Sequence, residues 1–64
     1  MSEPTSIIYE FTSIGGSVKV CAVDAKSGTE VSIVGPARAS QLDLQRTAAA
    51  KLRYVMKKAA ENKK

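Results

Sequence analysis

The Gly15-Gly16 pair constrains this chain more than any other feature, because the residues on both sides of it fall into two alternating sets. Upstream, Ile7, Tyr9 and Phe11 alternate with Ile8, Glu10 and Thr12; downstream, Val18, Val20 and Ala22 alternate with Lys19, Cys21 and Val23. A period of two, rich in β-branched and aromatic residues, is the pattern of a strand. Glycine takes positive φ without steric cost, so a two-residue loop of type I′, which needs positive φ at both central positions, is expected between the strands. That loop length sets the register: Ile14 opposite Ser17, Phe11 opposite Val20 and Tyr9 opposite Ala22. Tyr9, Phe11, Val18, Val20 and Ala22 then share one face.

A second turn follows at Asp24-Ala25-Lys26-Ser27-Gly28, where Asp can accept from the N–H groups that follow it and Gly can take a left-handed position. With Ala25 to Gly28 as the loop, Ala22 faces Val31 and Val20 faces Ile33, which puts the apolar residues of a third strand on the same side. That strand is expected over about Thr29 to Val34, ending at Gly35-Pro36 because proline has no N–H for a ladder. Ala37 to Ala39 lead on to Ser40, the start of a helix.

From Ser40 to Asn62 the period changes from two to 3.6. Leu44, Ala48, Leu52, Val55, Met56 and Ala59 lie on one stripe, with Leu42, Ala49 and Ala60 along its margin. Ser40 is the expected N-cap, and Asp43 in the first turn suits the positive end of the helix dipole. The architecture expected is α+β: a three-stranded antiparallel β-meander of order 1-2-3 with one C-terminal α-helix packed on one face. Residues 1–6 are expected to be a disordered lead-in, 7–62 a single β-β-β-α domain and 63–64 a basic tail. The predicted core is Ile7, Tyr9, Phe11, Val18, Val20, Ala22, Val31 and Ile33 against Leu44, Ala48, Leu52, Val55 and Met56.

Composition narrows the function by exclusion. At 64 residues the chain is near the lower size at which a hydrophobic core suffices alone. With no His and one Cys it cannot build from its own side chains a usual zinc site, a disulfide framework, or a Cys–His or Ser–His pair. No catalytic, cofactor-binding or metal-binding residue is assigned, and the chain is not expected to be an enzyme. Glu10 and Lys19 are read as a cross-strand ion pair on an open surface, and the Gly-Gly pair lacks the following helix and lysine of a phosphate loop. Cys21 is read as a packing residue whose free thiol fits a reducing compartment. No stretch is long and apolar enough to cross a bilayer, so a cytoplasmic protein without membrane contact is expected.

Two surfaces remain. One helix covers one side of the sheet, which leaves Ile8, Glu10, Thr12, Ile14, Lys19, Cys21, Val23, Glu30, Ser32 and Val34 on the other. Ile8, Cys21, Val23 and Val34 are the candidate protein interface on this face, for a homodimer or a larger protein partner, and strands 1 and 3 offer open edges as a further route. Scattered valines on a wet antiparallel sheet are the competing explanation. On the helix, Arg46, Arg53 and Lys57 form a basic ridge away from the apolar stripe, read either as a solvated face or as candidate contacts to an anion or nucleic acid. With a formal charge of +4, nonspecific and salt-dependent nucleic-acid binding is the alternative function. It is the less favoured of the two, because the open face carries one Lys against two Glu and Tyr54 is the only aromatic residue assigned to the surface.

The run YEFTSIGGSVKVCAVDAKSGTEVSIVGP, together with KLRYVMKK, resembles a set of short alphaproteobacterial proteins of unknown function. These share an aromatic first strand, a Gly-centred first turn, an SVKV-like second strand, an acidic-to-Gly second turn, an EVSIVGP-like third strand and a KLxYV-like helix end. The resemblance covers Ile7 to Lys58 and implies a small, free-standing bacterial cytosolic protein. It implies no activity, ligand or catalytic residue.

Overall fold

A computed structural model of the chain describes residues 6–62. It contains β1 (Ile7–Ile14), β2 (Ser17–Asp24), β3 (Glu30–Pro36) and α1 (Gln41–Asn62). The strands form one antiparallel sheet of order β1-β2-β3, and the helix packs on one of its faces. The expected register is the observed one: Phe11 pairs with Val20, Tyr9 with Ala22, Ala22 with Val31 and Val20 with Ile33. Of the expected lead-in and basic tail, residues 1–5 and 63–64 lie outside the described residues. The carbonyl of Ser6 accepts the Ala25 N–H at 2.9 Å and so extends the β1–β2 ladder.

Two local expectations are corrected. Gly15 has φ of 59° while Gly16 does not have positive φ, so the first turn has glycine in the left-handed region only at its first central position. That is the type II′ pattern, not type I′, and both types match the twist of the flanking strands. The third strand does not end before Gly35-Pro36 but runs through both residues. Pro36 pairs with Ser17 at a position whose N–H would point away from β2, so its missing donor costs the ladder nothing. Gly35 is there for space, since a Cβ at that position would run into the Leu44 side chain.

The second turn is the expected four-residue loop. The N–H of Asp24 donates to the Thr29 carbonyl and that of Gly28 to the Asp24 carbonyl, both at 2.8 Å, and Gly28 takes φ of 80°. The helix starts where its cap requires: the Asp43 N–H donates to Ser40 Oγ at 3.0 Å.

Val20, Ala22, Val31, Leu44, Ala48 and Leu52 form the buried centre. The helix lies over β2 and β3 and makes no comparable contact with β1. Ile7, Tyr9 and Phe11 therefore stand on the core face, as expected, yet are only half-buried. Ala49, expected on the margin of the helix stripe, is buried, while Ala59, expected on the stripe itself, is exposed. A helix of 22 residues is about 33 Å long, whereas an eight-residue strand is about 27 Å. The last turns thus run past the sheet and have nothing to pack on.

Candidate functional site

Backbone parity determines which groups the sheet offers to a partner. In β1 the even-numbered residues exchange hydrogen bonds with β2, as the two-residue loop closing Ile14 on Ser17 and the Ala25-to-Ser6 bond require. Ile7, Tyr9, Phe11 and Ser13 consequently turn their N–H and C=O groups outward along a free edge. In β3 the bonds from Asp24 to Thr29 and from Ala37 to Gly16 set the opposite parity, so Glu30, Ser32 and Val34 present their backbone groups outward.

The two edges differ in how they are protected. On β3, Lys51 reaches from the helix and donates from Nζ to the outward carbonyl of Ser32 at 2.9 Å, and Pro36 has no N–H to offer a further strand. Proline and lysine are both means of blunting an edge. On β1 there is no proline or lysine, no bulge and no helix above it; its single charge is Glu10, in the middle of the open face. An eight-residue strand with a clean ladder on one side and, among the described residues, nothing on the other is a template for pairing.

Beside that edge lies a groove. Because α1 covers β2 and β3, the helix-side face of β1 forms a shelf of Tyr9, Phe11 and Ser13. At its Gly15 end the shelf deepens into a cavity of about 270 Å³ lined by Phe11, Ser13, Val18, Ala37, Ala39, Gln41 and Leu44. Leu44 abuts Gly35 and Lys51 reaches Ser32, so that flank of the helix faces β3. At 100° per residue Arg46, Arg53 and Lys57 then lie on the opposite, outward flank, above the shelf. All three are exposed. Candidate nucleic-acid contacts and half-covered aromatics thus border the same groove.

The candidate interface on the open face is less continuous. Ile8 pairs with Val23, and Cys21 is diagonal to both Ile8 and Val34. Val34, at 65% exposure, pairs with Lys19, while Val23 pairs with Glu30 on β3. Ile8, Val23, Cys21 and Val34 thus form a narrow run across the sheet, through a direct pair, an adjacent same-face position and a diagonal, with Glu10, Lys19, Glu30 and Ser32 along its borders. Glu10 faces Cys21 and Lys19 faces Thr12, so the expected Glu10–Lys19 pair is diagonal, not directly opposite.

One buried polar group stands apart from these surfaces. Asp24, 3% exposed, accepts from the Ser27 N–H at 3.0 Å and the Ser27 hydroxyl at 2.7 Å, both at Oδ2. The Ser27 hydroxyl chiefly, with backbone donors and Lys26, holds its carboxyl below the ordinary value, against the opposing effect of burial. Its Oδ1 is buried without a partner among the described residues. Among those residues no cluster of three His, Cys, Asp or Glu could hold a metal, and no helix is long and apolar enough to cross a membrane.

Sequence reasoning read both outer strands as open edges; it missed that β3 is guarded and that the helix leaves the inner face of β1 half-covered. Lys51 was legible as a cation that shares with Lys58 the flank opposite the basic ridge, but which strand lay beneath it was not.

A family model described as a domain of unknown function (DUF6898) matches residues 4–59. No curated protein and no solved structure matches the chain.

Proposed function

The chain belongs to the DUF6898 family, and from that premise we propose that it is a non-enzymatic protein-interaction module that docks through the outer edge of β1 and the adjoining groove. The observation that carries this reading is the asymmetry of the edges: β3 is guarded by Lys51 and Pro36, whereas β1 has no such protection. A strand added to β1 gains main-chain hydrogen bonds from Ile7, Tyr9, Phe11 and Ser13, and its alternate side chains can enter the groove over Phe11. The open face of Ile8, Cys21, Val23 and Val34 supports docking less well because it is a narrow run bordered by Glu10, Lys19 and Glu30. The half-exposed Cys21 thiol fits a reducing bacterial cytoplasm.

Site-specific photo-crosslinking in the native cell tests the reading. A benzophenone amino acid at Ser13 is expected to give discrete adducts, and one at Val34 none. Adducts from Val34 alone would move the interface to the open face, and silence at both positions would remove the proposal.

A second reading rests on the exposure of Arg46, Arg53 and Lys57 along one flank: nonspecific nucleic-acid binding through the helix. It requires affinity for short DNA or RNA that falls steeply with added salt and is lost in the triple Ala variant.

A further inference from the structure

We propose that the partner of the β1 edge is a second copy of this chain, paired antiparallel through β1 about a two-fold axis at Phe11 to give a continuous six-stranded sheet of order 3-2-1-1′-2′-3′. The inference rests on the docking reading above and names its occupant.

Parity and chemistry together select this register. Outward backbone groups meet only if the numbers of paired residues sum to an even value, so the two-fold centre falls on a residue. Centres nearer the strand ends pair three residues or fewer, and one at Thr12 pairs only residues 10–14, sets Glu10 against Ile14′ and leaves out Ile8. Tyr9, Glu10 and Phe11 remain. A centre at Glu10 sets two carboxylates directly opposite each other, a destabilising arrangement. A centre at Tyr9 puts Ile8 against Glu10′ and leaves Ile14 beyond the paired segment. The centre at Phe11 pairs the whole run from Ile8 to Ile14. Ile8 meets Ile14′ at both ends, and the Glu10 carboxylate meets the Thr12′ hydroxyl, an acceptor against a donor. The two Phe11 rings meet on the groove side. Ile8 and Ile14, 59% and 55% exposed, thereby gain an apolar partner across the new seam, where the monomer gives Ile8 only Val23 and Ile14 only Ser17. Only self-pairing makes every one of these matches from one sequence.

Among the described residues nothing obstructs this geometry. A two-fold axis perpendicular to the sheet puts both helices on the same face, each over its own β2 and β3. Four strand spacings separate their axes, about 19 Å, so the two shelves merge into one trough between the basic ridges. Each copy carries a formal charge of +4, so added salt should favour the dimer by screening repulsion. This is the opposite of the salt dependence of nucleic-acid binding.

The test uses the full chain with Cys21→Ser as background. Glu10→Cys and Thr12→Cys variants are prepared separately, then oxidised alone and mixed, because residues 10 and 12′ form a non-hydrogen-bonded pair with closely spaced Cα atoms. The expected result is a disulfide-linked dimer at least ten-fold more abundant in the mixture than in either variant alone, with a dimeric mass by sedimentation for the parent protein. Ser13→Pro, which removes an outward N–H that the monomer ladder does not use, should keep the unfolding midpoint that the parent has at concentrations where it is monomeric, and abolish the dimer. Crosslinking of Glu10→Cys alone would put the axis at Glu10 and overturn the register. A monomer at every concentration and salt level, without mixed disulfide, would overturn self-pairing altogether. If that monomer still gave adducts from Ser13 in cells, the docking reading would stand with a different partner; if it gave none, both would fall.

Discussion

At the scale of single residues, two glycines that look alike in the sequence have different tasks. Gly15 holds φ of 59°, whereas Gly16 lacks a left-handed conformation and has no atom within 4 Å of a Cβ built on it. Gly15→Ala should cost about 1–2 kcal/mol, while Gly16→Ala should be neutral or stabilise by about 0.4–1 kcal/mol by narrowing the unfolded ensemble. Urea denaturation of the pair checks both signs. Asp24 makes a second residue-level prediction. Its carboxyl is held below the ordinary 3.8, so the unfolded chain takes up that proton at higher pH than the folded one. The stabilisation is complete above about pH 4 and is lost as pH falls through the folded value. The urea midpoint of the parent should drop in that window, and Asp24→Asn, with a lower midpoint at neutral pH, should show a flatter acid limb.

At the scale of elements, the helix is positioned by what it meets at its first turns. Leu44 sits where Gly35 leaves room, which places the N-terminal end of α1 against β3, and Lys51 meets the same strand about two turns later by its bond to Ser32. Gly35→Ala should overpack this contact and cost about 1–3 kcal/mol. Combining it with Leu44→Ala should cost less than the sum of the two single changes, because the truncated side chain vacates the space the new methyl needs. A double-mutant cycle by thermal unfolding measures that coupling. The same placement over β2 and β3, with Leu44, Ala48 and Leu52 on Val20, Ala22 and Val31, leaves the inner face of β1 half-covered and so opens the groove beside its edge.

At the scale of the molecule, one small core has to stabilise the whole chain. A domain of 64 residues has roughly 3–10 kcal/mol of stability, and Leu52 is fully buried at the centre of its core. Leu52→Ala should remove about 2–5 kcal/mol, enough to leave much of the protein unfolded at 37 °C, with near-ultraviolet dichroism and amide dispersion lost together. Surface changes such as Arg46→Ala or Arg53→Ala belong to another class and should leave the unfolding midpoint nearly unchanged. If β1 pairs with a second copy, stability also rises with protein concentration, because the dimer draws only on folded chains.

Register, strand order, both loop lengths and the helix cap were legible in the sequence, because each depends on local rules: a side-chain period of two or 3.6, a hydroxyl at the N-cap, glycine at the turns. The type of the first turn was not, since Gly-Gly satisfies I′ and II′ alike and only the closing geometry chooses between them. Nor was the end of β3, because whether Pro36 breaks a ladder depends on which way its absent N–H would point. The lateral position of the helix was hidden for a more general reason. Amphipathic periodicity says which face of a helix is buried but not which two of three strands it covers. That choice shows only in contacts between residues 9 and 19 positions apart, Leu44 above Gly35 and Lys51 at Ser32, and it left the inner face of the edge strand β1 half-covered.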